Sequence, residues 1–281
     1  MKKLTAALLA ILVLTSIITV PVAASVDKSE YPHYLDKNRS RYEAYHAQNP
    51  GLPYDIAIAY VNANVDKGYY NDIVTVDKPD SISVLVNKNY ALPLGYVPKD
   101  LVDIGSGYLL REEAAEHLAE MIADMNSSGY RIYVMAAYRT YQTQASKHSN
   151  AINNYGNNYA DTRFARAGHS EHQTGLAVDI LHRRDVQFMA DAMFQNSKEY
   201  AWLMENSYKY GFILRYPSEF EDIHGFIYEP WHWRYVGVSI ATVFYNDGIS
   251  MFEEYYGRFL APGIFAEKKI THRMRFSWEE S

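Results

Sequence analysis

Three segments concentrate side chains that can bind a metal, move a proton or hold a carboxylate. They are SEHQTGLAVD at 170–179, EPWHWR at 229–234 and AYRTYQTQ at 137–144. The chain has no cysteine, so any metal site must be built from His, Asp and Glu. Two imidazoles and one carboxylate form a common catalytic zinc set that leaves a fourth position for water. His172, Asp179 and His232 have the right types for it. Taken alone, a His and an Asp seven residues apart are a weak signal. The chain carries 10 histidines, and surface or hydrogen-bonded core positions are the ordinary alternative. No H-E-x-x-H run is present, which excludes the helical zinc-protease arrangement.

Positioning these residues requires particular elements. The run 175–181 reads as a strand carrying Asp179, with the preceding loop bringing in His172. A neighbouring strand within 228–236 carries His232. Tyr130–Ala137 reads as a buried strand, and Thr140 has a hydroxyl placed to cap a following helix. Between Arg111 and Met125, the residues Ala114, Ala115, Leu118, Met121, Ile122 and Met125 fall on one helical face. Val84–Val86 is expected as a short strand and Phe212–Tyr216 as another. Further helices are expected near 185–195, at 197–210 with Gly211 as its stop, and from Val238. Upstream, Ser40–Gln48 and Tyr54–Val65 read as helices, and 73–80 as a surface crossing. Helices and strands mix without regular βαβ alternation, which favours an α+β fold with a small antiparallel sheet over a doubly wound one.

Composition narrows the function. With 27 Lys plus Arg against 33 Asp plus Glu, the formal charge of the 281-residue chain is −6. An acidic chain lacks the clustered cations that grip a phosphate backbone, so no nucleic-acid partner is expected. At the N-terminus, Met1-Lys2-Lys3 precedes a largely apolar run from Leu4 to Ala24, and Val22-Ala23-Ala24 supplies small residues for cleavage. A cleaved signal peptide is the favoured reading and an uncleaved membrane anchor the alternative. Either places the body outside the cytoplasm, secreted or tethered to the outer face of the membrane. The expected organisation is a leader at 1–24, a helical arm at 25–82, a catalytic domain at 83–260 and a tail at 261–281.

The S-x-H-x-x-G-x-A-x-D run, followed by E-P-W-H-W-R-Y-V-G, resembles the zinc D-alanyl-D-alanine carboxypeptidases. These are the VanY-like members of peptidase family M15, which share a metal-site fold with Hedgehog signalling domains. A third element, Y-R-T-x-x-x-Q at Tyr138–Gln144, is similar to the family's arginine-bearing turn. The likeness runs from about Val84 to Gly237. It implies one zinc ion held by His172, Asp179 and His232. Glu229 would be the general base, taking a proton from water and passing it to the leaving amine. Arg139 would clamp the terminal carboxylate of a peptidoglycan stem peptide through paired hydrogen bonds. Gln144 and Ser170 match positions that line the same pocket, with a purely structural polar role as the alternative.

The resemblance implies removal of the terminal D-alanine. Two alternatives stand beside it, an L,D-carboxypeptidase acting on tetrapeptide stems and a zinc-containing cell-wall binding module without hydrolysis. Trp231 and Trp233 are read as packing the metal strand or walling the substrate. His182 is read as a surface residue, with support of a metal ligand as the alternative. His169 has no assigned role, His224 is read as a loop residue, and His33, His46, His117, His148 and His272 as scattered. Glu112-Glu113 and Glu253-Glu254 are read as solvated helix faces.

Overall fold

The architecture follows from two periodicities, 3.6 in one long helix and 2 in one small sheet. A computed structural model of the chain describes residues 30–183 and 193–262. In chain order the helices are α1 (Arg39–Gln48), α2 (Tyr54–Asn62), α3 (Glu112–Ser127), α4 (Tyr141–Tyr155), α5 (Asn157–Asp161), α6 (Lys198–Asn206), α7 (Glu221–His224), α8 (Val238–Asp247) and α9 (Phe252–Tyr255). A turn of π-helix, Tyr256–Leu260, continues α9. The strands are β1 (Val74–Thr75), β2 (Tyr90–Ala91), β3 (Leu101–Asp103), β4 (Leu109–Arg111), β5 (Tyr133–Ala136), β6 (Ala177–Leu181), β7 (Phe212–Leu214) and β8 (His232–Tyr235).

β5, β6, β8 and β7 lie side by side in that order, and every pairing is antiparallel. Two strand pairs, β1–β2 and β3–β4, stand apart from this sheet. The fold is therefore α+β, as expected. Alternate residues of a strand point to opposite faces. In β8 the order His232-Trp233-Arg234-Tyr235 thus sends two aromatic rings one way and two polar side chains the other. Trp233 and Tyr235 join Val178 and Ile180 of β6 in a core with Ala114, Leu118, Met121 and Met125 of α3. Burying a side chain such as Leu118 contributes about 1.5–3 kcal/mol. His232 and Arg234 are also buried, at 3% and 0% exposure. The polar face of the sheet is therefore an interior in its own right, and it holds the candidate site.

Several boundaries differ from those expected. Val84–Val86 is buried but is not a strand. The Arg234 guanidinium donates to the Ile82 and Val84 carbonyls at 2.8 and 2.9 Å, so a side chain serves where a neighbouring strand would. The surface crossing at 73–80 contains β1, which pairs in parallel with β2. The 197–210 helix divides into α6 and a 3-10 turn, Ser207–Tyr210. The helix expected near 185–195 falls mostly outside the described residues, as do the leader at 1–24 and nearly all of the tail. The described residues from His33 onward form one compact unit, in which the arm helices α1 and α2 pack on each other and α2 packs on α9. Glu253 of α9 is 1% exposed, so the reading of Glu253-Glu254 as a solvated pair fails at its first residue.

Candidate metal and carboxylate-binding site

Sheet register brings the site together. Asp179 of β6 is the direct cross-strand partner of His232 in β8 and, past a bulge, of Ala136 in β5. His172 arrives on a 3-10 turn, Glu171–Thr174, that ends at Gly175. Gly175 adopts φ +68°, and a Cβ there would lie 2.9 Å from Leu101 Cδ2. Only a glycine satisfies both the left-handed backbone and the close approach that feed the turn directly into β6.

Three donor atoms from His172, Asp179 and His232 lie within 4.8 Å of one another, and all three residues are buried. His172 Nδ1 donates to the Ala137 carbonyl at 2.7 Å. That bond fixes the tautomer and leaves Nε2 as a lone pair, 3.1 Å from Asp179 Oδ2 and without a hydrogen-bond partner. Asp179 Oδ1 lies 3.0 Å from His232 Nδ1, and the opposite nitrogen of that ring, Nε2, lies 3.4 Å from Glu171 Oε2. With Nε2–H donated to Glu171, the remaining atoms converging here are all acceptors. Acceptors buried together demand a positive charge among them, a proton or a metal cation. Two neutral imidazole nitrogens and a carboxylate suit a divalent transition metal, zinc foremost.

The electrostatics carry the same sign. Burial alone would raise the Asp179 carboxyl, but the His172 and His232 rings hold it far below the usual range. Burial and the Arg139 charge push His172 down to about 4. Burial also disfavours charge on His232, yet hydrogen bonds to Asp179 and Glu171 raise it to about 9. The Glu229 carboxyl is lifted to about 8 by burial, with His232 opposing. Its Oε2 lies 3.8 Å from His232 Nδ1.

Arg139, three residues beyond β5, lines the same cleft beside Asp179. Its Nη1 donates to Gln144 Oε1 at 2.8 Å and its Nη2 to Asp179 Oδ2 at 3.3 Å, while Nε has no partner. Gln144 owes its place to the Thr140 cap, whose hydroxyl accepts from Thr143 N at 3.1 Å and starts α4. Its Nε2 is anchored on the Ala165 carbonyl at 2.7 Å. All seven residues expected at the site, Ser170 among them, line one cleft of about 220 Å³. Tyr216, Phe226 and Trp231 form part of its wall, whereas Trp233 lies in the core beneath.

The other histidines sit elsewhere. His224 ends α7 rather than lying in a loop, and it is 3% exposed. His182 is half-buried and stacks on Phe194, His169 bonds to the Asn87 carbonyl, and His148 pairs with Asp161. His272 lies outside the described residues. Sequence reasoning missed Glu171, which is fully enclosed and accepts from Arg215 and Arg234 as well as His232. The signal was present: a second carboxylate, Glu171, beside His172 in the same run as Asp179, with Arg234 two residues after His232 on the same strand face.

Comparison with known proteins converges on one group. Residues 107–238 match the VanY family profile, described as D-alanyl-D-alanine carboxypeptidase. YodJ of Bacillus subtilis strain 168, a carboxypeptidase by name, is 38% identical over 208 residues, covering 69% of this chain and 76% of its own. The LdcB LD-carboxypeptidase superposes with a TM-score of 0.61 at 37% identity, over 66% of this chain and 90% of its own. A point variant of the vancomycin-resistance D,D-pentapeptidase VanY, solved in complex with Zn(II), gives 0.53 at 33% identity, over 62% and 97%. With this similarity running through the segments that build the cleft, the chain belongs to the VanY family of D-alanyl-D-alanine carboxypeptidases.

Proposed function

We propose that the protein is a zinc-dependent carboxypeptidase that removes the terminal D-alanine from peptidoglycan stem peptides. The observation that carries this reading is the meeting of His172, Asp179 and His232 beside a buried carboxylate, with an arginine lining the same cleft. His172, Asp179 and His232 hold the metal. When bound, zinc supplies positive charge that favours deprotonation of water and the build-up of negative charge on the substrate carbonyl oxygen. Arg139 binds the terminal carboxylate, with Gln144 holding its guanidinium in plane and Ser170 lining the same pocket. A clamp for a free carboxylate makes the enzyme an exopeptidase. Glu229 takes a proton from the attacking water as its oxygen bonds to the scissile carbonyl carbon. The carboxylate then returns that proton to the amine of the departing alanine as the C–N bond breaks.

A second reading keeps every role and changes the acyl-side stereocentre, since the LdcB LD-carboxypeptidase has a TM-score of 0.61 against 0.53 for the zinc-bound VanY. The test supplies pentapeptide and tetrapeptide stems separately to the full chain, with chelator and with added zinc. Zinc-restored D-alanine release from the pentapeptide is expected. Release mainly from the tetrapeptide would move the specificity to L,D. No release from either, despite bound zinc, would favour a binding module.

The leader sequence and the substrate both support an extracytoplasmic site of action. Among the described residues no helix is long and apolar enough to cross a membrane. Cleavage of the leader would favour secretion and its retention tethering, and the mass of the mature N-terminus distinguishes them. A chain beginning at Ser25 is expected, and an intact Met1 in the membrane fraction would indicate an anchor.

A further inference from the structure

We infer that Glu253, on α9 and outside the matched span 107–238, is a positioning residue for the metal ligand His232. The inference rests on the metal-site reading above. Its basis is a closed ionic cluster beneath the polar face of the sheet. Glu171 divides its carboxylate between two tasks. Oε2 receives His232 Nε2, while Oε1 accepts from Arg215 Nε at 2.8 Å and Arg234 Nη1 at 2.9 Å. One carboxylate against two guanidiniums leaves a buried positive charge. Glu253 cancels it by taking Arg215 Nη1 and Nη2 at 3.0 and 2.6 Å, and Asn87 Nδ2 donates to Glu253 Oε1 at 3.0 Å. All four charged side chains are 0–1% exposed.

Removing one partner from such a cluster leaves an uncompensated charge in a low-dielectric interior. Without Glu253 the surplus falls on Arg215, which competes with His232 for Glu171. The bond to Glu171 fixes which nitrogen of His232 carries the proton and which faces Asp179. A net positive charge one residue behind the site also opposes a divalent cation. Glu253 thus acts on the metal through Arg215 and Glu171 without touching it.

The arm completes the connection. Asn62 Nδ2 of α2 donates to the Gly257 carbonyl at 3.1 Å, just after α9. A Cβ at Gly257 would lie 1.8 Å from the Ala59 carbonyl oxygen, so α2 and the end of α9 are in backbone contact. The two segments flanking the family match hold Glu253 in the cluster and belong to the catalytic unit.

The test measures zinc affinity of the full chain by competition with a fluorescent chelator. Glu253→Gln is expected to weaken zinc binding about 10- to 100-fold, the range for loss of support behind a ligand. Glu254→Gln, on the same helix but paired with Arg258, serves as a control for a general loosening of α9 and is expected to stay within about twofold of wild type. Unchanged affinity in Glu253→Gln, or equal losses in both variants, would overturn the inference. If Glu253→Gln does not fold, Glu253→Asp keeps the charge but withdraws the carboxylate, and the same criterion applies to it. A wild-type chain that takes up no zinc would instead defeat the metal reading itself.

Discussion

Asp179 and His232 are direct register partners across β6 and β8, and Oδ1 of one lies 3.0 Å from Nδ1 of the other. The pair is a product of strand alignment. A slip of one residue would turn His232 toward the α3 core and Trp233 toward the cleft. The apolar alternation that buries Trp233 and Tyr235 against α3 therefore also holds the metal ligands in place.

Removing the metal should unload both activity and stability. Chelation is expected to abolish D-alanine release and lower the melting temperature, with zinc restoring both. At a free zinc concentration 100 times Kd, binding stabilises the folded state by about 2.7 kcal/mol. Differential scanning calorimetry across a zinc series checks the size. Asp179→Asn should lose the zinc-dependent part of that gain, because the site loses its one anionic ligand.

Glu229→Gln separates metal binding from proton transfer. The residue lies 3.8 Å from His232 and is not among the three converging donors. Zinc content, measured by elemental analysis, is expected to remain at one ion per chain while kcat falls about 10²–10⁴-fold. Undiminished hydrolysis in this variant would remove Glu229 from the mechanism.

Arg139→Lys addresses the carboxylate clamp. Lysine keeps the charge but loses the planar fork. Hydrogen bonds to a charged group contribute about 1.5–3 kcal/mol, so kcat/KM should drop about 10- to 100-fold on peptides with a free C-terminal carboxylate. Peptides with an amidated C-terminus should be cleaved slowly, and equally so, by both forms. A loss of the same size on the amidated peptide would mean that Arg139 acts on the metal site through Asp179 instead.

His224 should give the fold an acid-sensitive step. Its Nε2 donates to the Pro217 carbonyl at 3.0 Å and its Nδ1 accepts from Phe226 N at 3.2 Å, so both nitrogens are committed in the neutral form. Burial lowers its pKa from 6.5 to about 4. The unfolded state then takes up the proton first, so stability falls as pH drops from about 6.5 to about 4, and is fully present above that window. At 1.36 kcal/mol per pKa unit the loss reaches about 3 kcal/mol. Urea titrations between pH 7 and pH 4 should show a shallower decline for His224→Gln. Parallel slopes would assign the acid sensitivity elsewhere.

The sequence by itself determined the residue types of the site and most of the elements that carry them. The absence of cysteine, the pairing of His172 with Asp179 on a strand and the Thr140 cap are local facts, readable because each depends on a few consecutive residues. The 3.6 periodicity placed α3, and short apolar runs placed β5 and β6, for the same reason. Tertiary structure alone decided what surrounds them. Val84–Val86 has the composition of a strand, yet the Arg234 guanidinium, some 150 positions away, takes the Val84 carbonyl and that of Ile82 just before it. Glu253 looks like a solvated helix acid, and only the approach of Arg215 buries and neutralises it. Charge compensation in an interior depends on spatial neighbours rather than sequence neighbours, so no pattern along the chain could have shown that the support of His232 extends into α9.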